Sequence, residues 1–128
     1  MAVLPSEFRV TLTSNTRLVT TSTNLTVVKG GPTTLYSIVV SNPTAVAGFL
    51  KIYDKATAPA PASDHPVFYV PITASVTNVY YFGMHGIDFV NGISFATTNA
   101  IAENDNTNMG AVTDCHIAIT YAADPVRS

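Results

Sequence analysis

The chain has 128 residues, of which only 11% are charged, and its formal net charge at pH 7 is −2. This length allows one domain with one hydrophobic core. Because the six Lys and Arg residues are spread singly, no basic stripe is available to neutralise a phosphate backbone, and we do not expect nucleic acid as a partner.

The start of the chain, MAVLPSEFRV, contains neither the basic n-region nor the apolar h-region of a secretion signal. No run of about 18 apolar residues that could span a bilayer occurs in the sequence. We therefore expect a soluble product that is made in the cytoplasm and has no membrane partner.

The composition favours strands over helices. Val, Ile and Thr make up 41 of the 128 residues, and side chains branched at Cβ fit a pleated strand better than the crowded turn of a helix. No segment carries good helix formers at amphipathic spacing over three turns. The sequence predicts an all-β protein.

The N-terminal part, residues 1–31, is rich in Ser and Thr and poor in large side chains. Within it Phe8, Val10 and Leu12 alternate with polar residues, which is the period of a half-buried strand. Gly30, Gly31 and the following proline then break the pattern. We predict an extended N-terminal arm, or edge strands, over residues 1–31.

The remainder, residues 32–128, carries seven short strand patterns with a turn signal about every ten residues, which is typical of an antiparallel β-sandwich of jelly-roll or immunoglobulin-like type. The predicted strands are residues 35–40, 48–53, 67–72, 79–82, 87–90, 93–96 and 112–121. Two sequences, Asn42-Pro43-Thr44 and Asn91-Gly92, are interpreted as hairpin turns. In the last strand, alternation predicts one core face, made of Cys115, Ile117, Ile119 and Tyr121.

Residues that could carry chemistry are better explained as ordinary surface or core groups. The acidic loop 99–110 lacks the complete pattern of a calcium loop, so a solvated turn is favoured over an ion site. No histidine has zinc-ligand spacing, and no nucleophile motif or phosphate loop is present. The residues weighed and set aside are His65, His85, His116, Asp64, Asp88, Glu103, Asp105 and Cys115. We expect no cofactor, no metal site and no enzymatic activity.

The apolar content is high for so small a soluble domain. Mean hydropathy is +0.28, and the single cysteine cannot form an intrachain disulfide, so a second chain is the simplest cover for apolar surface. Aromatic residues could instead form a sugar-stacking platform, but an interface or core role is favoured because alternation turns about half of them inward. The predicted interface residues are Phe8, Val10, Leu12, Tyr53, Tyr69, Tyr80 and Tyr81.

Several segments in fixed order resemble a family of small bacteriophage virion proteins. They are NPTAVAGFLKIYDKATAPAP, then HPVFYVPI, then FGMHGIDFVNGISFATTNAIAENDNT, and a final strand that ends in ITYA. The resemblance covers residues 35–122, about two thirds of the chain. It implies a head decoration (cement) protein or an accessory structural protein, and it implies no catalytic residue.

We therefore expect a capsid decoration protein that binds the outer surface of a bacteriophage head and stabilises the coat by multivalent contacts. Its partners would be the major capsid protein and its own copies, in a homotrimer seated where three coat subunits meet. It would be synthesised in the cytoplasm of the bacterial host and located on the capsid exterior. The alternatives are a tail or head fibre, a receptor-binding or glycan-binding module, and a free carbohydrate-binding domain.

Overall fold

The computed structural model describes residues 11–123, which form nine β-strands and no helix. The first five strands are β1 (Thr11–Arg17), β2 (Thr26–Gly30), β3 (Thr33–Asn42), β4 (Gly48–Asp54) and β5 (Phe68–Ile72). The other four are β6 (Val76–Tyr81), β7 (Ile87–Phe89), β8 (Gly92–Thr98) and β9 (His116–Ala123). Among the described residues, no helix qualifies as a membrane span.

The strands form two antiparallel sheets that pack face to face. Sheet 1 has the order β1-β9-β3-β6, with the short β7 also paired to β3, and sheet 2 has the order β2-β8-β4-β5. Most successive strands lie in different sheets, and this arrangement of two four-stranded sheets is that of a jelly roll, to which β7 is a short addition. The predicted all-β sandwich is confirmed, in its jelly-roll form.

Both predicted hairpins are wrong, because each turn carries the chain from sheet 1 to sheet 2. The β3–β4 turn is held by Asn42, whose Nδ2 donates to the Val46 carbonyl at 2.7 Å and whose Oδ1 accepts the Thr44 N–H at 3.0 Å. In the β7–β8 turn, Gly92 has φ +143°, and a Cβ there would lie 2.5 Å from the Lys29 carbonyl oxygen. Turn chemistry thus marks where the chain reverses, but the sheet that the next strand joins depends on distant partners.

The core lies between the sheets and consists of the inward-facing side chains of both. The predicted core face of the last strand is confirmed, since Cys115, Ile117 and Ile119 are fully buried and Tyr121 is 9% exposed. Burial of each large apolar side chain contributes roughly 1.5–3 kcal/mol. Sheet 1 adds Leu35, Ile38 and Val40, and sheet 2 adds Leu50, Ile52, Ile72, Ile93 and Phe95.

Strands β1 and β2 are outer strands, one in each sheet. β1 is hydrogen-bonded to β9 from Thr11 to Arg17, and β2 pairs with β8. The division of the chain at residue 31 stays a prediction. Two of the predicted interface residues, Phe8 and Val10, lie outside the described residues.

Candidate functional site: the outer faces of the two sheets

The outer face of sheet 1 is uncovered in the described part of the chain. Each strand turns alternate side chains away from the core, and the strand register aligns them in three rows that cross β1, β9, β3 and β6 and in a fourth, Thr11, Ala122, Thr34 and Asp88, that ends at β7. Many side chains of the three full rows are small or hydroxylated, and Arg17 is the one Lys, Arg, Asp or Glu among them. They are Thr13, Thr120, Ser37 and Tyr81 in one row; Asn15, Ala118, Val39 and Val79 in the next; and Arg17, His116, Ser41 and Thr77 in the third.

This face is close to neutral. Its charged side chains are of opposite sign: Arg17 contacts the carboxylate of Asp114, with both side chains exposed, and the carboxylate of Asp88 on β7 accepts the Thr34 hydroxyl at 2.8 Å. The most protruding groups lie at the β6 edge, where Val79 is 67% and Tyr81 is 70% exposed, and Met84 follows in the next turn at 78%. The result is a surface of low net charge with an apolar border, which is suited to contact with another protein.

The outer face of sheet 2 is covered by two loops of the chain itself. At its centre, Lys51 of β4 is fully buried, and its Nζ donates to the carbonyl oxygens of Ala102 at 2.6 Å, Asp105 at 3.1 Å and Glu103 at 3.4 Å. Burial lowers the pKa of the Lys51 ammonium, and the carboxylates of Asp105 and Glu103 act in the opposite direction. Lys51 therefore fastens loop 99–108 to the sheet.

Loop 99–108 is ordered by its own polar groups. The carboxylate of Asp105 accepts the Ala100 N–H at 3.0 Å and the Thr107 hydroxyl at 2.9 Å. Burial raises the pKa of Asp105, but these hydrogen bonds outweigh it and the net shift is downward. In residues 11–123, no group of three or more His, Cys, Asp or Glu side chains is arranged to hold a metal ion.

The second covering loop, residues 55–67, is held by a lysine and an aspartate within the chain. Lys55 Nζ lies 2.5 Å from Asp64 Oδ2, and the same oxygen accepts the Ala60 N–H at 2.7 Å. The hydrogen bond from Lys55, followed by that from Ala60, lowers the pKa of Asp64. His65 contacts the carboxylate of Glu103, so the two loops are also joined to each other.

Tyr53, one of the predicted interface residues, is not at the surface of the described structure. Its side chain lies on the outer face of sheet 2 but is only 1% exposed, because the loops cover it. Burial, followed by the nearby carboxylates of Asp64 and Glu103, raises the pKa of Tyr53 to about 12. Its hydroxyl and that of Ser94, directly opposite on β8, are buried without a hydrogen-bond partner among the described residues.

The other predicted interface residues are not brought together. Tyr69 is 46% exposed on the outer side of sheet 2, where its ring packs edge-on against Phe49 at 6.2 Å. Tyr80 points inward and its hydroxyl donates to the Pro71 carbonyl at 3.3 Å. Leu12 lies opposite Tyr121 and is 41% exposed because β1 is an outer strand.

No continuous aromatic platform forms among the described residues, since Tyr81 lies on the outer face of sheet 1 and Tyr69 on that of sheet 2. Phe68 and Phe82 pack against each other at 5.4 Å and against the core. Sequence reasoning missed Val79, although its spacing of two from Tyr81 was the available signal. It also missed Lys51, which had no signal because a buried lysine depends on a cover formed by distant loops.

A scan against protein-family models finds no match, and a search of curated proteins finds none either. The search of solved structures finds the coat protein of Tobacco streak virus. One crystal form at 2.1 Å aligns with TM-score 0.40 and 9% identity over 99% of this chain and 94% of the other. The coat protein dimer at 2.4 Å aligns with TM-score 0.42 and 11% identity over 100% and 94%. At these values the likeness carries no argument about function.

Proposed function

We propose that this chain is a bacteriophage capsid decoration (cement) protein that binds the outer surface of the head and stabilises the coat. The observation that carries the proposal is the nearly neutral outer face of sheet 1, which no part of residues 11–123 covers. The jelly roll is one of the folds used by viral capsid domains, although a fold alone does not define a function. The resemblance to small virion proteins over residues 35–122 agrees with this role.

The character of the surface suits many weak contacts. Small hydroxylated side chains lose little conformational entropy on docking, and a neutral face avoids the large cost of burying unpaired charge. A capsid repeats the same site many times, and an oligomer that grips several coat subunits gains effective concentration without strong single contacts. The proposed role is therefore structural, with no catalytic step and no cofactor.

In this proposal the partners are the major capsid protein and further copies of the chain. A homotrimer seated where three coat subunits meet is the proposed assembly, and Tyr81 and Val79 at the border of sheet 1 are the proposed contact residues. The protein would be made in the cytoplasm of the bacterial host and would end on the capsid exterior.

The second candidate is a fibre or receptor-binding module that recognises glycans. It is favoured by the exposed Tyr69, which packs against Phe49, because aromatic rings stack on sugars and the jelly roll is also used by lectins. The decoration role is preferred because the other exposed tyrosine, Tyr81, lies on the opposite face of the sandwich.

Copy number and location in the virion test the proposal together. A cryo-EM map and a quantified gel of particles that carry the chain should show hundreds of copies on the outside of the head. Tens of copies or fewer at the tail would instead support the fibre, and complete absence from the particle would overturn both.

The docking face can be tested separately by adding purified protein to heads that lack it. Ala118→Glu places a carboxylate in the middle row of sheet 1 and should weaken binding at least tenfold. Val27→Glu, on the outer side of sheet 2, is the matched control and should bind as the unchanged protein does. Equal binding by both variants would show that sheet 1 is not the docking face.

A further inference from the structure

The outer strands of the two sheets differ in how their free edges are protected. Unpaired backbone groups at a sheet edge recruit strands from other chains, and natural proteins block this with proline, charge or a bulge. In sheet 2, β5 contains Pro71, which has no N–H to donate, and β2 contains Lys29 together with a register shift after Val27. In sheet 1, β1 ends in Arg17.

On the opposite side of sheet 1, β3 pairs with β6 and with the short β7, which carries Asp88, and β6 itself has none of these features. Its register with β3 is unbroken from Val76 to Tyr81. No Asp, Glu, Lys or Arg occurs anywhere in residues 66–87. Its exposed face instead carries Val79 and Tyr81, which are 67% and 70% exposed. This is an open, uncharged and apolar edge.

We infer that β6 pairs antiparallel with β6 of a second copy of this chain, so that sheet 1 continues across a two-fold axis. The charge pattern selects this occupant. In a two-fold contact each side chain near the axis meets its own equivalent, so any charge on the strand would repel itself. β6 carries no Asp, Glu, Lys or Arg, and the next such residue on its side of sheet 1 is Asp88 of β7, so nothing on β6 opposes pairing with its own copy.

The pleat fixes the register of this contact. Residues that lie opposite each other in an antiparallel pair must be on the same face of the sheet. One register near the middle of β6 meets this condition by placing Val79 opposite Val79 of the second copy and Tyr81 opposite Thr77. An aromatic side chain opposite a β-branched one is a favourable cross-strand pair. The register shifted by one residue would bring the half-buried amides of Asn78 together and leave Tyr81 beyond the strand.

This contact does not rest on the proposed function. It uses the edge of sheet 1 and, apart from the border residues Val79 and Tyr81, leaves the outer face free to dock, so it is distinct from the three-fold contact of the proposed trimer and could join neighbouring trimers in pairs. A chain that forms this contact in solution but is absent from virions would refute the proposed function and leave the inference standing.

Disulfide trapping tests the contact directly. In the inferred register Val79→Cys faces its own copy at a Cα separation of roughly 4.5–5.5 Å, which a disulfide can bridge. Mild oxidation should therefore convert most of this variant to a covalent dimer. The matched control is Val90→Cys, which is similarly exposed at 73% but lies in the turn after β7 and not in β6, and the native Cys115 is buried. Cross-linking of Val79→Cys no greater than that of Val90→Cys would overturn the inference.

A second measurement uses sedimentation of the full chain. Val79→Lys places two ammonium groups at the axis and should weaken association at least tenfold, while Val90→Lys should leave it unchanged. Circular dichroism confirms folding, since both positions are exposed. If deletion of residues 2–10 is needed before the contact forms, the chain's own N-terminal segment occupies the edge and the inference is wrong. Association that is insensitive to Val79→Lys contradicts it as well.

Discussion

The two sheets follow the same alternation of inward and outward side chains, yet the outer face of sheet 2 is buried and that of sheet 1 is exposed in the described structure. On sheet 2 the outward residues Lys51, Tyr53 and Ser94 are buried, whereas on sheet 1 the outward residues Val79 and Tyr81 are among the most exposed in the described chain. The difference lies in the loops. The connections that follow β4 and β8, residues 55–67 and 99–115, are long enough to fold back over sheet 2.

An outward position in a strand is therefore not the same as a surface position. Charged side chains hold the two loops against sheet 2. Lys51 donates hydrogen bonds to loop 99–108, and Lys55 pairs with Asp64 in loop 55–67. Sheet 1 uses almost no charge and has no cover in the described structure. The face that the chain does not use for itself is the face available to a partner.

The largest expected effect is a difference in stability between variants of two tyrosines, one on the outer face of each sheet. Tyr53→Ala should lower the free energy of unfolding by about 3–5 kcal/mol, because it removes a fully buried ring and leaves a cavity under the loops. Tyr81→Ala, the matched control on sheet 1, should change it by no more than about 0.5 kcal/mol. Urea denaturation followed by fluorescence measures both. Similar losses in the two variants would mean that sheet 2 is not covered as described.

A smaller effect is expected at the lysine beneath the cover. Lys51→Met should lower the free energy of unfolding by about 2 kcal/mol, since buried carbonyl oxygens of loop 99–108 lose their donor. Lys29→Met, on the exposed edge strand β2, is the control and should be near neutral. Hydrogen exchange should become faster in residues 99–108 and stay unchanged in β6. Unchanged protection of that loop would contradict the role given to Lys51.

The cover should loosen at acidic pH. Asp64 and Asp105 have pKa values below the ordinary 3.8 in the folded protein. Their contribution to stability is therefore fully present above pH 3.8 and is lost as the pH falls through the lower folded-state values. Hydrogen exchange at descending pH should show loops 55–67 and 99–108 opening before sheet 1 does. Asp64→Asn should remove part of this dependence, and an identical acid profile in that variant would count against it.

The smallest effect concerns the hydroxyl of Tyr53. Because this buried group has no partner among the described residues, Tyr53→Phe should leave stability unchanged or raise it by up to about 1 kcal/mol at neutral pH. In the unchanged protein the pKa of Tyr53 is about 12, against an ordinary 10.0. The free energy of unfolding should therefore fall as the pH rises from 10 to 12, and Tyr53→Phe should not show this fall. A clear loss of stability at neutral pH would mean that the hydroxyl is hydrogen-bonded.

Much of the fold was predictable from local patterns, and the candidate site was predictable only in part. Alternation placed Ile117 and Ile119 in the core. It did not decide which of the aromatic residues would be exposed, because alternation says nothing of what lies above a face, as the buried Tyr53 shows. The turns at Asn42 and Gly92 were located correctly, but their role as crossings between sheets was missed because strand pairing is a long-range property.

The sequence by itself determined that the chain is all-β, where most strands lie and which face of the last strand is buried. These follow from side-chain shape and from the two-residue period of a strand, and both are local. Only the tertiary structure decided the jelly-roll order, the burial of Lys51 and the contrast between a covered and a bare face. Each of these features depends on contacts between residues that are far apart in the chain. The free energies of such contacts are set by packing in three dimensions, so the contacts leave no local pattern in the sequence.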